Sequence, residues 1–120
     1  MNDVRMVAVV DDDDSVCRAL VRVIESAGYK GQGFASARDF LAWLPTHKVS
    51  CVVLDVHMDD VSGFDLHDRL RVPVVFVTGR DDAATVAGIE RRAAGHLRKP
   101  FDRASVLDAI SRAVSRAGVS

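Results

Sequence analysis

The sequence predicts a doubly wound α/β fold, a five-stranded parallel sheet with helices on both faces. Three observations carry that prediction. Short, wholly apolar runs at Val7–Val10, Cys51–Leu54 and Val74–Val77 have the character of strands buried on both faces. Each run gives way to polar residues and then to apolar residues at helical spacing. No repeat, low-complexity tract or linker interrupts this alternation over 120 residues, the length of one domain.

The elements follow in order. The first strand, Val7–Val10, ends at four consecutive Asp, Asp11 to Asp14. From Ser15 the period changes, because Val16, Leu20, Val23, Ile24 and Ala27 share a helical face and Gly28 stands at the C-terminal cap. Tyr29 to Phe34 reads as a second strand weakened by Gly31 and Gly33. Ser36-Ala37-Arg38-Asp39 resembles a capping box, with Asp39 counted among the caps, and opens a helix through Phe40, Leu41 and Leu44 that Pro45 closes. The third strand, Cys51–Leu54, ends at Asp55, and a short helix with Phe64, Leu66 and Leu70 follows Gly63. The fourth, Val74–Val77, ends at Thr78; Asp81 or Asp82 then caps a helix carrying Val86, Ile89 and Ala93. A brief strand around His96–Arg98 reaches Lys99-Pro100, and Asp102 caps a last helix with Val106, Leu107, Ile110, Ala113 and Val114. Trp43 and the phenylalanines sit at core spacing.

Composition narrows the functional classes. The net charge of −1 and pI near 6.4 argue against a nucleic-acid or anionic-membrane surface. No apolar run approaches the roughly 20 residues of a membrane span, and Met1-Asn2-Asp3 does not open a secretory signal, so a cytoplasmic location is expected. Two cysteines, Cys17 and Cys51, lie in apolar stretches and read as reduced and buried. Within the balanced charge hides a bias: 15 of 17 acids are Asp, and 13 of 16 bases are Arg.

Ligands of doubly wound sheets bind beyond the carboxyl ends of the strands. Here those ends carry Asp11, Asp12, Asp55, Thr78 and Lys99. Several carboxylates at adjacent strand ends need either a proton or a cation. All-oxygen ligands with room for water select Mg²⁺, and no His/Cys cluster at zinc spacing competes. A carboxylate beside Mg²⁺ is a plausible nucleophile toward phosphorus, with Thr78 and Lys99, one from each flank, as donors to the phosphoryl oxygens. Taken alone, four Asp in a row fit a solvated loop, and Asp13 and Asp14 are assigned to the helix N-terminus. Lys99 is one of only three lysines in an Arg-rich chain, at a place where a rotatable point charge suits a phosphate.

Over about residues 4 to 117 the chain resembles the receiver domain of two-component response regulators, a flavodoxin-like fold. The residues that carry the resemblance are Val9-Val10-Asp11-Asp12, Leu54-Asp55-Val56-His57-Met58 with Ser62-Gly63, Val77-Thr78-Gly79 and Lys99-Pro100-Phe101. It implies that Asp55 is phosphorylated by a partner histidine kinase. It also implies that Asp11, Asp12, Asp55 and the backbone carbonyl of His57 hold Mg²⁺, and that Thr78 and Lys99 bind the phosphoryl group. The details look most like regulators with a nitrogen-fixation-type helix-turn-helix output domain. The expected organisation is a single receiver unit over 1–120, with any DNA-binding output outside this chain and a homodimer through the fourth and fifth helices as a possible assembly.

The sequence departs from the family at several points. Where Pro usually stands four residues after the phosphoacceptor there is Asp59, a carboxylate that could either tighten cation binding or oppose an anionic phosphodonor. At the place of the aromatic switch residue there is His96, read either as an exposed filler or as a pH-sensitive switch. Asp59, Asp60, Asp65 and Asp68 read as a mostly solvated face. Only 23 positions separate Asp55 from Thr78, so the third helix and the turn at Arg71-Val72-Pro73 are compressed and the fourth helix is open to displacement. Two other readings compete: a pseudo-receiver that binds partners without phosphorylation, and an aspartate-nucleophile phosphohydrolase. The second lacks its usual acid two residues after the nucleophile, where His57 stands.

Overall fold

The computed structural model describes residues 4–92 and 94–118. It has the elements β1 (Met6–Val10), α1 (Asp14–Ser26), β2 (Lys30–Phe34), α2 (Ala37–Trp43), β3 (Cys51–Asp55), α3 (Gly63–Asp68), β4 (Val74–Thr78), α4 (Ala83–Arg91), β5 (Gly95–Arg98) and α5 (Arg103–Gly118). A 3₁₀ turn, Leu44–Thr46, follows α2. All strands pair in parallel, in the order β2-β1-β3-β4-β5.

Strand period 2 divides the apolar residues between two cores. Val7, Val9, Cys51, Val53, Val75, Val77 and Leu97 meet α1 and α5 through Leu20, Ile24, Val106 and Ile110. Ala8, Val10, Val52, Leu54, Val74 and Phe76 meet α2, α3 and α4 through Phe40, Leu66 and Ile89. Phe40 and Phe76 are fully buried, whereas Phe34 and Trp43 pack at the margin of the second core. Cys17 and Cys51 are buried and not joined in a disulfide. Among the described residues no helix is long and apolar enough to cross a membrane.

Local chemistry sets the helix starts. Asp13 caps α1 by accepting from the Ser15 and Val16 amides, and Gly28 follows that helix at φ 94°, a conformation glycine adopts freely. Asp82 caps α4 through the Thr85 amide, and Asp102 accepts from the Ser105 amide at the start of α5. The α2 cap is Ser36 rather than Asp39; Asp39 supplies the amide that Ser36 Oγ accepts, at 3.1 Å.

Several boundaries differ from the sequence expectation. Pro45 lies inside the 3₁₀ turn instead of closing α2, and α3 stops at Asp68, leaving Leu70 beyond it. Ala93 lies outside the described residues. The weak second strand forms in full because its glycines make room for α1: a Cβ on Gly33 would lie 2.5 Å from Cys17 Sγ, and one on Gly31 3.1 Å from Val21.

Candidate functional site

The carboxyl ends of β1, β3 and β4 place three buried polar residues side by side. Asp11 directly follows β1, Asp55 ends β3 and Thr78 ends β4; they are 1%, 5% and 0% exposed. Oxygens of Asp11, Asp12 and Asp55 gather within 4.8 Å of one another. Strands that run into this edge bring their side chains there without needing a long loop, which is why the constellation was readable from strand ends alone.

Lys99, one residue past β5, reaches this group from beyond the sheet edge. Its Nζ lies 3.2 Å from Asp11 Oδ2 and 3.7 Å from Asp55 Oδ2. Thr78 and Lys99 do not approach from opposite flanks, as the sequence suggested. The strand order puts both β4 and β5 on one side of β3. Thr78 Oγ1 closes a local turn, accepting from the Arg80 amide at 3.0 Å and donating to the Arg80 carbonyl at 3.3 Å.

The electrostatics are those of crowded acid. Burial and then the neighbouring Asp11 charge push Asp55 up to about 6, against the opposing pull of the His57 amide and Lys99. Burial lowers Lys99, but the charges of Asp55 and Asp11 outweigh it and hold the ammonium above its ordinary value. Asp11 Oδ1 accepts from the Asp13 amide at 2.8 Å. Its Oδ2 is buried without a hydrogen bond of good geometry, and Lys99 Nζ stands 3.2 Å away as an ionic neighbour. An oxygen left in this state is a cation ligand in waiting. Asp11, Asp12 and Asp55 therefore fit Mg²⁺ in number and type: three hard oxygens, with Asp12 exposed to solvent.

The loop after β3 frames the site. The His57 amide donates to Asp55 Oδ1 at 3.1 Å, and its ring Nε2 lies 3.4 Å from Thr85 Oγ1 on α4. Partial burial, and then the Arg80 charge, hold the His57 imidazole below its ordinary value. Asp59 sends its amide, at 3.3 Å, to Asp12 Oδ2, and its carboxylate is not among the three that gather. Asp60 and Asp68 do more than the solvated face expected of them. Asp60 Oδ2 accepts from the Arg38 amide, joining this loop to the start of α2. Asp68 accepts from Nη2 and Nε of Arg92, at 2.8 and 2.9 Å, which joins α3 to the end of α4. Both unions link residues more than twenty positions apart and left no local pattern in the sequence.

His96 is exposed and pairs in register with Phe76, while Thr78 stands opposite Arg98. It borders a surface hollow shared with Asp108 and Arg112 of α5.

The sequence matches the family described as response regulator receiver domain over residues 7–111. It is 36% identical to nodulation protein W of Bradyrhizobium diazoefficiens over 117 residues, covering 92% of this chain and 52% of that protein. With the transcriptional regulatory protein FixJ of Azorhizobium caulinodans the identity is 35%, covering 92% and 55%. The chain thus spans about half the length of these curated relatives. A response regulator receiver protein from Burkholderia phymatum superposes with a TM-score of 0.83 at 35% identity, covering 92% of this chain and 95% of that one. Sequence match and overall structure agree, and the chain belongs to the response regulator receiver domain family.

Proposed function

We propose that this receiver accepts a phosphoryl group on Asp55 from a histidine kinase and passes the change to a protein-interaction face. The observation that carries the reading is the buried Asp55 carboxylate, crowded by Asp11 and Asp12 and countered by Lys99. Asp11, Asp12, Asp55 and the His57 carbonyl would hold Mg²⁺, which when bound offsets charge on the incoming phosphoryl oxygens. In the transfer, an Asp55 oxygen attacks phosphorus. A P–O bond forms, the P–N bond to the kinase histidine breaks, and the imidazole leaves with its electron pair. Lys99 already faces Asp55 and takes one phosphoryl oxygen. Thr78 takes another once its hydroxyl leaves the Arg80 turn. The transfer is stoichiometric and self-catalysed, so the chain is a signalling phosphoacceptor and not a turnover enzyme.

Beyond the transfer, the transcriptional regulators among its relatives support an output domain that binds DNA and lies outside these residues. His96 faces solvent at the β5 edge, which supports the reading of an exposed residue with weak coupling to Thr78.

The test is Mg²⁺-dependent labelling with acetyl phosphate, or formation of a beryllofluoride adduct. One equivalent per native chain and none on Asp55→Asn is expected. No adduct on the native chain, or equal labelling of Asp55→Asn, would return the chain to the pseudo-receiver reading. Multiple turnover on phosphate monoesters would instead favour the hydrolase.

A further inference from the structure

Thr85 is a buried polar residue that the transfer does not use. It stands in the first turn of α4 and is only 4% exposed. Its amide donates to Asp82 Oδ1 at 2.9 Å. Its hydroxyl lies 3.4 Å from His57 Nε2, a pair in which either atom can donate according to the imidazole tautomer.

That contact completes a chain. Asp55 Oδ1 holds the His57 amide at 3.1 Å, the His57 ring meets Thr85, and Thr85 meets the α4 cap Asp82. The preceding peptide is fixed independently, because the Val56 amide bonds Val77 and the Val56 carbonyl accepts from Gly63. His57 is thus the one residue between the anchored strand end and the loop whose two ends answer to different masters: its backbone to Asp55, its ring to α4.

We propose that Thr85 is a positioning residue for the phosphoacceptor site, holding the His57 ring so that the His57 backbone is presented to Asp55 and its cation. This rests on the reading of Asp55 as phosphoacceptor. It has a thermodynamic corollary. If the place of α4 sets the His57 backbone, then cation and phosphoryl binding shift α4 by the same coupling. With His96 exposed, this route runs through the β3–α3 loop directly and does not need an aromatic residue on β5.

The experiment compares native chain, Thr85→Val, Thr85→Ser and, as a control, Asp68→Asn. The last loosens the far end of α4 from α3 and leaves the His57 contact in place. Mg²⁺ and beryllofluoride affinities are measured together with ring-nitrogen NMR of His57 and urea midpoints in chelator. Losing one hydrogen bond predicts affinities about three- to tenfold weaker in Thr85→Val, with Thr85→Ser within about twofold of native. The His57 ring-nitrogen spectrum should show the same hydrogen-bonded Nε2 signature in native chain and Thr85→Ser, and a changed Nε2 signal in Thr85→Val. Amide exchange in the first turn of α4 should change on adduct formation in native chain and not in Thr85→Val. A folded Thr85→Val with native affinities, or a Thr85→Ser as weak as Thr85→Val, overturns the proposal. So does a His57 Nε2 signal unchanged in Thr85→Val, or an Asp68→Asn variant as weak in affinity as Thr85→Val. A native chain that forms no adduct overturns the phosphoacceptor reading itself, while the ring-nitrogen spectra still judge the Thr85 contact.

Discussion

Asp55 in its charged form is a cost to the folded chain. Its folded value of about 6 lies above the ordinary 3.8, so on acidification the folded chain takes this proton before the unfolded chain does. The penalty is full above about pH 6 and vanishes below about pH 4. In chelator, this group alone makes the native chain gain stability as pH falls through that window. Asp55→Asn should be more stable than native at neutral pH by about 1–3 kcal/mol, with the difference shrinking toward pH 4. Urea midpoints against pH check this, and a constant difference would contradict it. Lys99 keeps its partner in that variant, because Asp11 remains at 3.2 Å. At this scale the site was legible: Asp11, Asp12, Asp55 and Thr78 each follow or end an apolar strand, and Lys99 follows the short mixed strand β5. The partners of Asp60, Asp68 and Thr85 were not, since each contact is made only when distant segments fold together.

Elements are seated by close approaches. A Cβ on Gly63 would strike the Asp55 carbonyl oxygen and come within 2.8 Å of Val56 Cα, both backbone atoms that cannot swing aside. Gly63→Ala should therefore cost about 1–3 kcal/mol in urea unfolding and weaken the adduct at Asp55 as β3 and α3 are forced apart. A second seat joins α3 to α4. Gly88 lies against the Phe64 ring, and the Arg92 guanidinium covers that ring at 4.4 Å while gripping Asp68. The Arg92 hydrogen bonds, followed by His67, hold Asp68 down to about 2, so its contribution is present above the ordinary value and disappears only as pH falls through about 2. In Arg92→Ala, a carboxyl titration followed by NMR should show Asp68 moving up toward 3.8. The compressed connections noted in the sequence thus end in a tied pair of helices. The sequence disclosed the shortening but not the tie, because Gly88 and Phe64 carry no mutual signal. For β2 the sequence signal pointed the wrong way: glycine weakens a strand in isolation, yet here it admits α1.

At the scale of the molecule, the sheet separates two cores that share no side chains. Ile24 belongs to the α1/α5 side and Ile89 to the α2–α4 side. Ile24→Val and Ile89→Val should each cost about 0.5–1.5 kcal/mol, and the double variant should equal their sum within about 0.5 kcal/mol. A larger discrepancy would mean that the sheet transmits packing changes between its faces. This two-sided plan was legible because fully apolar strands have no solvent face, and strand order alone needed the structure. The grip on Lys99 also bears on the reactivity of its amine. Amine-acylating reagents need the unprotonated amine, and Lys99 is held in its charged form between two carboxylates, whereas Lys30 and Lys48 are exposed. In a chain with three lysines, mass mapping of a limited acylation should find Lys30 and Lys48 modified first, and loss of the Asp55 charge should bring Lys99 forward. The acidic site thereby writes a reactivity order onto the whole surface.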